Sequence, residues 1–199
     1  GAIGTAGQPG QFGAGSGGGQ SSVPAALSQI VFGGGGGSGG DKADNTNPSA
    51  VGGGGGTGGG IIMLFGSQIT LRGLVTTNGS IGQSNSSPWT DHGTGGGGAG
   101  GSILIKGRDV DVSTGLVTAL GGQGGTGGSN GGVGGNGLIR IEHGTPLIGT
   151  TNPVASMQQI NYYNITGLGA PFGVFGNGSD SDLTVTTGQT IYTDNVRSA

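Results

Sequence analysis

The side chains able to do chemistry are few and scattered. His92 and His143 are the only histidines, and each follows a carboxylate, Asp91 and Glu142 respectively. An imidazole beside a carboxylate can serve as a general base or a metal ligand. Neither pair has a third ligand or an activated nucleophile near it in sequence, and adjacent loop residues do not face each other. Solvated surface residues are therefore expected. Asp109 and Asp111 alternate with Val110 and Val112, so both carboxylates project from one face of a strand. Paired carboxylates suit acid–base work. Lys106 and Arg108 lie beside them and favour a charge-balanced, solvated face instead.

Asn177, Ser179, Asp180 and Asp182 bunch oxygen ligands in a pattern like that of a calcium loop. Asp180 and Asp182 would be the metal ligands, but the distal bidentate Glu of an EF-hand is missing. A turn feeding a strand at Leu183 explains the segment equally well. The expectation is thus no cofactor, with calcium the one ion this segment would take. Asn-x-Ser/Thr acceptors for glycosylation occur at Asn78, Asn85, Asn164 and Asn177, and Asn85 lies in the polar loop 80–93. Trp89 is the lone tryptophan, and with Asp91 and His92 it forms a candidate binding loop able to stack on sugar rings. Plugging an end of the fold is the competing role for Trp89. Gly-x-Gly-x-x-Gly patterns recur throughout without a helix-forming partner segment, so none marks a dinucleotide site. No catalytic group stands out, and a non-enzymatic chain is expected.

Composition says why chemistry is so thin. Gly accounts for 56 of 199 residues, charged residues for 8%, and the formal net charge is −3. The six Lys and Arg are scattered singly, so no patch exists to displace counterions from nucleic acid. No apolar run approaches the roughly 18 residues of a membrane span. The chain starts at Gly1 without Met, which reads as a mature product or an excised portion of something longer. There is no cysteine to form a disulfide.

The elements that must position these residues are strands and glycine tracts. Residues 102–120 alternate Ile103, Ile105, Val110, Val112 and Leu116 with polar residues, the two-residue period of half-buried strands. Residues 121–137 then repeat every three residues, two glycines to one small residue. Three is the period of the polyproline-II helix, which has no internal hydrogen bonds. Alone, such a tract is a floppy linker. In a bundle, each tract can satisfy its neighbours' N–H and C=O groups. Fully extended, this tract reaches about 50 Å, so it should double back or cross another layer.

The strand segments repeat. I-I-M-L-F-G-S-Q-I-T-L-R-G-L-V-T (61–76) aligns with I-L-I-K-G-R-D-V-D-V-S-T-G-L-V-T (103–118). Gly66 matches Gly107 at an offset of 41, and Gly73 matches Gly115 at an offset of 42. Both copies follow glycine tracts (51–60 and 93–101), and a shorter copy, L-I-R-I-E-H-G, follows residue 137. A period near 40 residues predicts an all-β fold of parallel β-solenoid-like repeats with packed polyglycine-II-type segments and a small C-terminal β region. The domain reading is a glycine-rich arm at 1–32, the repeat domain at 33–144, and a C-terminal β region at 145–199 that ends in a strand able to add to another molecule's sheet.

The union of G-G-x tracts with I-x-I-x-G strands resembles glycine-rich bacterial extracellular surface and filament proteins, as does the segment G-N-G-S-D-S-D-L-T-V-T-T-G-Q-T-I-Y-T-D-N-V-R-S (176–198). The tracts also resemble those of phage tail-fibre adhesins, in which polyglycine-II rods form a scaffold and tip loops bind the host. The first resemblance implies an extracellular structural subunit that partners with itself in a filament or fibre. The second implies an adhesin for a cell-surface receptor or glycan, with the loops 41–50 and 80–93 at its tip. Both likenesses cover about residues 33–144.

Overall fold

The computed structural model describes residues 4–7, 17–19, 27, 29–41, 51–84 and 92–160. Six strands are present among them: β1 (Ile61–Thr70), β2 (Leu74–Thr76), β3 (Ser102–Asp111), β4 (Leu116–Thr118), β5 (Leu138–His143) and β6 (Ser156–Gln159). β1, β3, β5 and β6 form one sheet in that order, and β2 pairs with β4 in a second. Every pairing is parallel.

The residues that align in sequence are the residues that pair. Gly66 sits opposite Gly107, Ile69 opposite Val110, and Leu74 opposite Leu116. Ile139 and Ile141 continue the columns of Ile103 and Ile105. The inward residues Ile103, Ile105, Val110, Val112, Val117, Ala119, Ile139 and Ile141 make the buried core, with Ile62, Leu64, Ile69 and Val75 packed against it. Each fully buried branched aliphatic contributes about 1.5–3 kcal/mol, which is the main cohesive term of the sheets. A one-residue slip would turn the whole column to solvent, so the alternation fixes the register.

Glycine serves a steric purpose where Gly66 of β1 and Gly107 of β3 pair. A Cβ on Gly107 would lie 2.9 Å from the Gly66 carbonyl oxygen and 3.1 Å from Ile69 Cδ1. The side chain of Val110, in the core, and that of Ile69, packed against it, take up the space beside Gly107.

The expected all-β class built from β-solenoid-like repeats is corrected by this architecture. The core is a parallel-strand sheet, closer to α/β pairing, with no helix among the described residues and no solenoid. The physical reason lies in the glycine segments. They do not turn tightly between stacked coils but leave the sheet as extended arms. Residues 119–125 and 131–137 fold back antiparallel, with N–H of Gly131, Gly134 and Gly137 donating to the carbonyls of Gly125, Gly122 and Ala119 at 3.0, 2.9 and 2.7 Å. Parallel strands need long crossovers, commonly helices. Here glycine arms make the crossover. Of the expected C-terminal β region 145–199, residues 145–160 are described and hold β6, and the rest lies outside the described residues.

Candidate functional site: a glycine bundle and two sheet edges

Residues 93–101 lead straight into β3 and form the axis of the molecule; every residue from 92 to 103 is buried. With three residues per turn, successive amides point about 120° apart. The hydrogen bonds follow that rule. Gly93, Gly96 and Ala99 donate to the carbonyls of Gly40, Gly37 and Gly34 at 3.0, 3.0 and 2.8 Å. Thr94, Gly97 and Gly100 donate to Ser129, Gly132 and Gly135 at 3.0, 2.9 and 2.9 Å. Gly95, Gly98 and Gly101 donate to Gln83, Ser80 and Thr77 at 3.0, 2.9 and 2.8 Å.

Three further segments donate into the same axis. Gly53, Gly56 and Gly59 reach the carbonyls of Gly93, Gly96 and Ala99, Gly19 reaches Gly97, and Gly122 and Gly125 reach Gly98 and Gly95. The segments beside the axis that lead into strands run parallel to it, whereas 34–40 and 77–83 run antiparallel. Such close approach excludes side chains. A Cβ on Gly98 would stand 2.0 Å from the Thr57 carbonyl oxygen, and one on Gly97 would stand 2.0 Å from that of Gly122. Among the described glycines only Gly149 has a positive φ. Space, rather than backbone conformation, therefore demands glycine in these arms.

The few side chains in the bundle tie arms together. Thr94 Oγ1 donates to the Gly125 carbonyl at 2.7 Å and accepts from the Gly131 amide at 2.7 Å. Thr118 donates to Thr76 at 3.0 Å, Leu120 N–H donates to Asn78 Oδ1 at 2.7 Å, and Thr126 N–H donates to Ser84 Oγ at 2.9 Å. All three contacts span 42 residues, so the strand repeat continues into the glycine arms.

The sheet has two outer edges, β1 and β6, and among the described residues no strand pairs with either on its far side. Met63 on β1 is 51% exposed and Met157 on β6 is 57% exposed. The outer face between the edges is charge-balanced. Glu142 receives Lys106 Nζ at 3.1 Å and Arg140 Nε at 2.9 Å, and Arg140 also donates to Gln158.

The residues singled out from sequence are not brought together. His92 is buried, 1% exposed, at the start of the central arm, and its Nδ1 has no hydrogen-bond partner among the described residues. The expectation of a solvated His92 is thereby corrected. Packing of the arm to its first residue draws the ring inside. His143 is also buried, with Nδ1 2.7 Å from the Thr145 carbonyl, while Glu142 is engaged by its ion pairs. Asp109 bonds to Arg108 at 2.9 Å and accepts from Thr145 at 3.1 Å. The Ser113 hydroxyl and amide hold the Asp111 carboxyl below its ordinary range, the amide at 2.8 Å and with Arg72 assisting. Both aspartates line an open groove of about 170 Å³ together with Gln68, Thr70, Pro146 and Ile148. Asn78 is exposed, with its side-chain oxygen committed to Leu120. Asn85, Trp89, Asp91, Asn164, Asn177, Asp180 and Asp182 lie outside the described residues. Among the described residues no group of three or more His, Asp or Glu could hold a metal ion, and no helix is long and apolar enough to cross a membrane.

Sequence reasoning missed β6. S-M-Q-Q has no alternation of apolar and polar residues, and only the neighbouring β5 makes it a strand. The exposure of Met63 was equally hidden, because nothing in sequence tells an edge strand from a central one. Comparison with protein-family models, with curated proteins and with solved structures finds no match.

Proposed function

We propose that this chain is a non-catalytic structural subunit that associates with copies of itself into an extracellular filament or surface fibre. The observation that carries the reading is the pair of parallel edges, β1 and β6, which no strand among the described residues covers and along which large apolar side chains are exposed. A ten-residue edge strand with exposed apolar side chains is a template for pairing with another chain, and proteins that stay monomeric blunt such edges with charge, bulges or proline. β1 carries no charged residue and no proline.

The bundle supports the same reading from a second direction. Its cohesion is backbone hydrogen bonding at roughly 1 kcal/mol net each, whereas ordering a glycine costs about as much or more. Lateral contact with identical neighbours adds bonds without adding much disorder to lose. Lys106, Arg108, Asp109, Arg140 and Glu142 are engaged in ion pairs within the sheet, which softens repulsion between like copies. Electron microscopy of purified protein tests the proposal. Long filaments of uniform width are expected, and a monodisperse monomer at high concentration refutes it.

A further inference from the structure

The self-association proposed above leaves open which surfaces meet. We propose that the β6 edge of one copy pairs, parallel and in register, with the β1 edge of the next. This inference rests on the assembly reading and adds a defined joint to it.

The columns of the sheet supply the argument. Met63, Leu104, Arg140 and Ser156 form one column of paired residues, and Leu64, Ile105, Ile141 and Met157 form the next. A strand added beyond β6 in the same register would place its Met63 beside Ser156 and its Leu64 beside Met157. β1 of a second copy is such a strand, since it has the direction, register and inward apolar column that would continue the sheet beyond β6, where no described residue lies. Met157 extends the apolar column of Ile105 and Ile141, yet is exposed because nothing described lies beyond it. Leu64 ends the same column at the other edge, packed on the core and without a neighbour on its outer side among the described residues. Joining the two ends buries both in one continuous apolar stripe.

The joint is heterologous, a β6 surface meeting a β1 surface, so each added copy leaves a fresh β6 edge. Such contacts propagate into open filaments rather than closing as dimers. The repeat follows from the strand count. Four strands at about 4.8 Å advance the axis roughly 19 Å per subunit, with the strands crossing the filament axis.

The absence of cysteine makes the joint directly testable by cross-linking. Met63→Cys and Ser156→Cys would stand opposite each other only across the proposed joint, at the roughly 5 Å Cα separation a disulfide accepts. Under mild oxidation the double variant should give a ladder of covalent multimers, and each single variant should give none beyond a dimer. A second variant, Met157→Lys, sets an ammonium against Leu64 of the neighbour. It should raise the critical concentration for assembly about tenfold or more while leaving the monomer's thermal unfolding unchanged. Filaments from wild-type chain with no ladder and no effect of Met157→Lys would overturn this joint and leave the assembly reading standing. Absence of both filaments and ladder would overturn both.

Discussion

Replacing Gly98 by alanine probes the central claim that the glycine arms are packed architecture. The added Cβ would lie 2.0 Å from the Thr57 carbonyl oxygen, 2.4 Å from its carbon and 2.9 Å from the Gly58 nitrogen. Ordinary contact begins at 3.4 Å, so the two arms must part by about 1.4 Å. All three of those atoms are backbone, so no side chain can swing aside. Separation on that scale stretches the bonds that join these two arms, from Gly56 to Gly96 and from Gly59 to Ala99, both now 2.8 Å, and disturbs that from Gly98 to Ser80. Two or three buried bonds lost or weakened at about 1 kcal/mol each predict a destabilisation of roughly 2–3 kcal/mol. Gly60→Ala is the matched control, since nothing lies within 4 Å of its added Cβ. There, the reduced freedom of the unfolded chain should leave stability unchanged or raised by about 0.4–1 kcal/mol. Denaturant unfolding of dilute protein, followed by circular dichroism, measures both. Equal midpoints for Gly98→Ala and wild type would refute close packing of the arms.

Three other outcomes follow from the same geometry. Amide exchange should find Gly97 and Gly100, bonded at 2.9 Å inside the bundle, far slower than the exposed amide of Gly73; uniform fast exchange across residues 93–101 would show the arm unpaired. Ile105→Ala should cost about 2–5 kcal/mol because the side chain is wholly buried, while Met63→Ala on the exposed face should stay within about 0.5 kcal/mol in the monomer, both read from unfolding midpoints. The Asp111 carboxyl should titrate below the ordinary aspartate value of about 3.9, since Ser113 bonds favour its charged form. A carboxyl held low in the folded state contributes stability that is present above the unfolded-state value and is lost as pH falls through the folded one. Carbon-13 titration of the folded chain reads this directly, and a midpoint at or above the ordinary value contradicts it.

How far the fold was legible differs from element to element. Ile103, Ile105, Val110 and Val112 announced a strand because burial of one face imposes a two-residue period on side chains. The alignment of Gly66 with Gly107 and of Leu74 with Leu116 carried the register itself, since stacked repeats bury the same columns. Asp109 and Asp111 fell on one face, as their spacing required. His92 was misread because its neighbours in sequence, polar residues and glycines, describe a loop. Its burial comes from arms that are remote in the chain. The predicted solenoid failed at the same point, for the triplet period told of rods but not of where they turn.

The chain by itself determined the strand registers, the offset between copies and the glycine-rich make-up of the tract 93–101. Tertiary structure alone decided which arm lies against which, that S-M-Q-Q becomes a strand, and which strands stand at the ends of the sheet among the described residues. The cause is that glycine arms recognise one another through N–H and C=O groups common to every residue. A pattern of side chains records a buried face, but a tract with no side chains keeps no record of its neighbours.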